Sequence, residues 1–220
     1  MSAHFAFWHK AEAGSRPVGR KLTRSFYARD ALTVARELLG LHLVRTLPSS
    51  SGFVRQVGRI VETEAYMGPD DLAAHSAGGR RTPRTETMFG PPGRAYVYLI
   101  YGMHHCLNVV TATRDVPHAV LIRALEPVHN LEGRTQGPGL VCRALGIDRS
   151  HDALDLLGSE LFIERPSAAA ARPVRLGAGP RIGVDYAGPW AKKPWRFVDR
   201  SSDYLSRPLP SRAARTGSAR

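Results

Sequence analysis

Glu62, Glu64 and Tyr66 alternate through the segment RIVETEAY. In an extended strand that period-two spacing puts all three side chains on one face, with successive Cα atoms about 6.6 Å apart. Two carboxyls beside an aromatic ring suit glycoside chemistry. One carboxyl activates a water while the other protonates the leaving group across an oxocarbenium-like transition state. A solvated strand face is the plainer account of a bare E-x-E, so the spacing alone assigns no reaction.

A second group of residues strengthens the case. Tyr96, Tyr98 and Tyr101 fall within six residues, although aromatic residues make up only 8% of the chain. Tyr96 and Tyr98 share a strand face and fit a core ladder. Tyr101 falls at a turn, where polar residues are the rule. An exposed aromatic there has the form of a wedge that fills the gap left by an extruded nucleotide. Arg80, Arg81 and Arg84 in GGRRTPR, with Arg94, could approach a phosphate backbone or form an ordinary solvated loop. The Gly137-Pro138-Gly139 turn, through Gly139, offers free helix N-terminal amides for the same purpose. Arg123 interrupts an apolar run and needs a partner, because a buried unpaired guanidinium is costly. A structural ion pair and a site role both satisfy that need, and Asn108 is equally open.

Other chemistries find less support. His104 and His105 are adjacent on a strand and point to opposite faces, which disfavours a shared metal ion, so no metal site is expected. The chain has no H-x-E with P-C-x-x-C, no G-x-x-x-x-G-K-[ST] and no G-x-S-x-G. Deaminase, nucleotide hydrolase and serine hydrolase templates are therefore not matched. Cys106 and Cys142 form no C-x-x-C pair, which argues against a disulfide framework and for a reducing compartment.

Composition is consistent with a nucleic-acid partner. The 220 residues are 43% hydrophobic, enough for one substantial core, and carry a formal charge of +12. Residues 1–30 hold six Lys/Arg against two acids, and residues 206–220 hold four Arg against none. Each end thus supplies +4, and the stretch between them only a further +4. Basic ends favour salt-sensitive contact with a polyanion. The first residues lack a signal-peptide pattern and no run approaches a membrane span, so an intracellular protein is expected, not secreted and not bound to a membrane.

Several elements are needed to position these side chains. RDALTVARELLG places Leu32, Ala35, Leu38 and Leu39 at helical spacing, with Asp30 as N-cap and Gly40 as stop. LHLVRT and GRIVETEAY read as strands, and Asp70 to Ser76 as a short helix closed by Gly78 and Gly79. RAYVYLI and MHHCLNVVT read as a hairpin over 94–111, turning at Tyr101-Gly102. His118 to Leu125 is a further strand, Gly137-Pro138-Gly139 opens a helix that ends near Gly146, and Leu161–Glu164 and Trp195–Val198 are candidate edge strands.

Taken together, VETEAYMGPDDLAAHSAGGRRTPR, MFGPPGRAYVYLIYGMHHCLNVV, VLIRALEP and GPRIGVDYAGPWAKKPWRF resemble the alkyladenine, or 3-methyladenine, DNA glycosylase family. The resemblance runs from about Leu22 to Leu205. It implies that Glu64 is the general base that activates water for attack on the sugar C1′, a role it does not give to Glu62. It implies that Tyr66, His75 and Tyr98 wall the base pocket. It places Tyr101 as the residue inserted through the minor groove and Asn108 as the residue that crowds the exocyclic amine of normal guanine. Arg123, and the main-chain carbonyl of Ile182, would hold the nucleophilic water. The physics fits these roles: electron-rich rings stack on a cationic purine, and a histidine can bond to the flipped nucleotide. Two departures stand out. Leu140 occupies a position that is lysine in some relatives, and His104-His105 replaces aromatic or apolar residues.

The expectation is thus an α/β chain of the α+β type, a single domain with a curved, largely antiparallel sheet, flanking helices and a projecting β-hairpin. Residues 1–20 form a flexible basic tail, 21–205 the glycosylase domain and 206–220 a disordered Arg-rich tail. The expected reaction removes alkylated or deaminated purines from double-stranded DNA, approached through the minor groove. It uses no cofactor and, lacking a lysine in Schiff-base context near Glu64, cuts no strand. A monomer located with DNA in the cytoplasm, nucleoid or nucleus is expected. Two rivals remain, a non-catalytic lesion- or RNA-binding module and a metal-dependent phosphoesterase.

Overall fold

The computed structural model describes residues 19–50 and 52–209. In it, nine strands form one open sheet whose pairings are all antiparallel. The strands are β1 (Arg20–Lys21), β2 (His42–Ser49), β3 (Gly52–Tyr66), β4 (Ala95–Ile100), β5 (His104–Thr111), β6 (His118–His129), β7 (Leu161–Arg165), β8 (Leu176–Gly179) and β9 (Arg196–Asp199). Their order is β1-β7-β2-β3-β6-β5-β4, with β9 pairing both β3 and β8. The helices are α1 (Arg24–Tyr27), α2 (Ala31–Leu38) and α3 (Pro138–Leu145). The α+β architecture expected from the sequence is the one observed.

β3 is the strand on which the site is built. One edge pairs with β6, while the other pairs first with β2, through residues 52–59, and then with β9, through Glu62–Glu64. Register shifts at Val57/Gly58, Ile60/Glu62 and Glu62/Thr63 interrupt the β3–β6 ladder. Such irregularities bend a strand and re-aim its side chains.

The two sheet faces have different tasks. Ile60, Ala65, Val97, Leu107, Val109, Val120 and Ile122 face a core completed by Val34, Ala35 and Leu38 of α2 and by Val141, Cys142 and Leu145 of α3. α2 starts where Asp30 accepts the Thr33 N–H at 3.0 Å, and α3 ends at Gly146 with φ 61°. The alternate residues Tyr96, Tyr98, Cys106, Val110, Ala119 and Leu121 point to the other face and gather with Met88 and Phe89. That second face carries the candidate chemistry.

Some expectations change. No α-helix covers residues 70–76. Short 3-10 turns occupy Gly68–Asp70 and Ala77–Gly79, and Asp71 accepts the main-chain N–H of Met67 and Ala73 between them. Side-chain bonding of this kind competes with helical bonding. The strand expected over 58–66 begins at Gly52, and the stretch at Trp195–Val198 gives an inner strand, β9, rather than an edge. The packed chain also continues past Leu205, since Ser206 bonds to buried Glu62. Residues 1–18 and 210–220, most of the two expected tails, lie outside the described residues.

Candidate active site

Glu64 is fully buried in β3, and its carboxylate is held by three groups from three elements. Tyr66 donates its hydroxyl to Oε2 at 2.8 Å, the Ile182 N–H donates to Oε1 at 2.8 Å, and Arg123 Nη1 of β6 lies 3.4 Å from Oε2. Burial, and then Glu64 itself, push the Tyr66 hydroxyl well above the ordinary phenol range, so it stays protonated and donates. For Arg123 burial acts to lower the pKa, but the charges of Glu64 and Glu62 outweigh it and raise it, leaving a fixed cation. Tyr66, Arg123 and Ile182 line a cleft of about 560 Å³.

His75, Tyr96, Tyr98 and Asn108 line the same cleft. His75 Nδ1 lies 2.9 Å from the Tyr96 hydroxyl, and its ring meets Tyr98 edge-on with centroids 4.5 Å apart. Burial, helped by the positive charge of Arg84, lowers the His75 pKa to about 4, so the imidazole is neutral. Asn108 faces Tyr96 across β4–β5 and donates to its carbonyl at 3.1 Å. The aromatic walls thus offer π faces with hydrogen-bonding edges and no titrating cation.

Tyr101 projects from the hairpin turn, 82% exposed, and also lines the cleft. Both Tyr101 (φ 52°) and Gly102 (φ 69°) are left-handed, and the Met103 N–H bonds back to the Ile100 carbonyl. Positive φ at both central positions is the turn that matches hairpin twist. A tyrosine there costs of order 1–3 kcal/mol, a strain that functional sites retain.

The remaining sequence-derived positions divide. Gly139 lines the cleft at the start of α3, where an added Cβ would stand 3.1 Å from His104 Cβ. Leu140 and His104 line it too. Arg80 and Arg84 are exposed, with Arg84 5.3 Å from the Tyr98 ring centroid. Arg81 is bound in a fork to Glu86 and to Asp115. Arg94 sits at the far end of β4 from Tyr101, where it donates to the Ala153 carbonyl and faces Asp155. It is not among the residues that line the cleft, its guanidinium being turned to Ala153 and Asp155.

Two buried networks were not foreseen. Glu62 accepts from Arg123 Nε and Arg196 Nη1, both at 3.0 Å, and from Ser206 N and Oγ at 2.6 and 2.7 Å. It is a structural anchor for Arg123, and its two oxygens are engaged away from the cleft, so a two-carboxylate site is not formed. Arg181 and Asp71, both with fully buried side chains, form a fork, and Arg181 also donates to the Ala65 and Trp190 carbonyls. That fork fixes the loop bearing Ile182. The only sequence signal for it was Arg181 inside GPRIGV, next to the residue already singled out.

Known proteins resemble this chain over most of its length. The family model described as Methylpurine-DNA glycosylase (MPG) matches residues 25–203. A protein of Anaeromyxobacter dehalogenans strain 2CP-C, named "Putative 3-methyladenine DNA glycosylase", is 57% identical over 191 residues, 86% of this chain and 88% of the relative. Proteins of the same name from Myxococcus xanthus strain DK1622 and Legionella pneumophila strain Corby are 55% and 49% identical. They align over 87% and 86% of this chain and 96% and 99% of their own lengths. With the match spanning both the β3 carboxylate and the loop that binds it, this chain belongs to the methylpurine-DNA glycosylase family.

Proposed function

We propose that the protein is a monofunctional DNA glycosylase that turns alkylated or deaminated purines out of duplex DNA and hydrolyses the N-glycosidic bond. The class of substrate is that of 3-methyladenine, 7-methylguanine and hypoxanthine. The observation that carries this reading is the seating of Glu64 behind the cleft. One of its oxygens bonds to the Ile182 N–H and keeps a free lone pair, while the other is fixed by Tyr66 and Arg123. A water at that lone pair gives its proton to Glu64 as its oxygen bonds to C1′. The C1′–N bond breaks, and its electron pair leaves with the base. A methylated, cationic purine departs neutral and needs no acid.

Tyr66, His75 and Tyr98 form the walls around the base, Asn108 crowds an exocyclic amine and Arg123 orients the water. Ile182 meets Glu64 through its N–H, an interaction additional to the carbonyl contact that the family resemblance implies. Tyr101 enters the minor groove as the base leaves the stack, and exposed Arg80 and Arg84 with Gly139 approach the backbone. Residues 21–205 with the short extension beyond them act as one monomeric domain on chromosomal DNA. Among the described residues no helix is long and apolar enough to cross a membrane.

The test is incubation with a duplex carrying one methylated purine or hypoxanthine, followed by alkali. Strand breakage only after alkali is expected, and borohydride should trap no protein–DNA adduct. Glu64→Gln should slow excision by about 10²- to 10⁴-fold with duplex binding retained. An unchanged rate in that variant would refute the role of Glu64 and favour a binding module.

A further inference from the structure

The segment Ser206–Leu209 follows the last residue of the family match, yet it is built into the site. Ser206 closes both oxygens of buried Glu62. Arg196, itself buried, donates to the Arg207 carbonyl at 2.9 Å and to the Pro208 carbonyl at 3.3 Å. Leu209 occupies space over β8 that only glycine leaves open, because a Cβ on Gly177 or Gly179 would lie 2.7 or 2.6 Å from its side chain. Four residues are thus fixed by a carboxylate, a guanidinium and two glycines.

This strap places Arg207 on the wall of the cleft. Arg207 is exposed, and its guanidinium has no hydrogen bond or ion pair among the described residues. The other arginine on that wall, Arg123, is committed to Glu62 and Glu64. Among the arginines nominated from sequence, Arg81 and Arg94 are engaged with protein carboxylates and carbonyls. A nucleotide whose base fills the cleft leaves its phosphates at the mouth, and a guanidinium can fork to a phosphate.

We infer that Arg207 binds a backbone phosphate of the flipped nucleotide and that the Ser206–Leu209 strap, latched to Glu62 and Arg196, holds it there. The inference rests on the proposed function, so wild-type excision of a methylated purine is the control: its absence would overturn that reading instead. The full-length chain is titrated with a duplex bearing a tetrahydrofuran abasic analogue over a range of salt. Arg207→Gln should weaken binding roughly threefold or more and lower the log–log salt slope by about 1, with excision by the saturated complex within about twofold of wild type. Arg207→Lys should keep the slope. Ser206→Pro, which removes both Ser206 donors to Glu62, should reproduce the binding loss, and adding Arg207→Gln to it should change binding no further. An unchanged slope in Arg207→Gln, or a full Arg207→Gln effect in the Ser206→Pro background, would overturn the inference.

Discussion

Tyr101 sets local stability against use. Its backbone is left-handed, a conformation glycine adopts without a Cβ penalty, and its ring is almost wholly exposed. Tyr101→Gly should therefore raise stability by about 1 kcal/mol, read as a higher denaturant midpoint at unchanged slope. The same variant should lower excision at limiting enzyme by about 5- to 100-fold, since ring–base stacking is worth about 1–3 kcal/mol. Opposite signs from one substitution would mark the tyrosine as kept for DNA; losses in both would mark it as packing. The spacing of Glu64 and Tyr66 and the oddity of a turn tyrosine were legible in the sequence. The fate of Glu62 was not, because period two puts it on the same face as Glu64. Only the partners brought by β9 and the strap separate the two carboxylates.

Among the elements, the loop that follows β8 depends on one ion pair. Removing one partner of a fully buried pair typically costs about 3–5 kcal/mol, and here it also frees the loop that delivers the Ile182 N–H to Glu64. Asp71→Asn should show both losses. The double variant Asp71→Leu, Arg181→Met should recover much of the stability, as apolar replacements of buried pairs often do, while excision stays low because the ties to Ala65 and Trp190 are gone. Recovery of both would reduce the pair to a purely structural role. Elements with a clear period, α2, β3, the hairpin and α3, could be located from sequence. The 68–79 segment could not, since its course follows from Asp71 and Arg181, 110 residues apart, and no local pattern reports such a contact. β1 and β8, two and four residues long, are too short to show a period.

At the scale of the whole molecule, the neutral histidine in the cleft makes the fold sensitive to acid. His75 titrates near 4 when folded, against 6.5 as the ordinary value, so on acidification the unfolded chain takes up the proton first. The stability contributed by the neutral ring is complete above about pH 6.5, declines as pH falls towards 4 and declines no further below it. The drop should be about 2–4 kcal/mol for this residue. Burial also lowers His42 and His118, which act in the same direction. Denaturant melts between pH 7 and 4 should show the loss, and His75→Gln should shrink it; an unchanged pH dependence in that variant would place the acid sensitivity elsewhere. The net charge, by contrast, lies largely in the ends, and the strap is the described part of the C-terminal end that meets the site.

The interrupted register of β3 has a genetic consequence. Tyr66 lines the cleft with Glu64 buried behind it, while Thr63 and Ala65 alternate with them on the core side. Losing one codon between the last register shift and Tyr66 would exchange those sets, sending a carboxylate into the apolar layer and an alanine or threonine to the water. A substitution on this strand alters one position, whereas a change in its length alters the facing of every position beyond it.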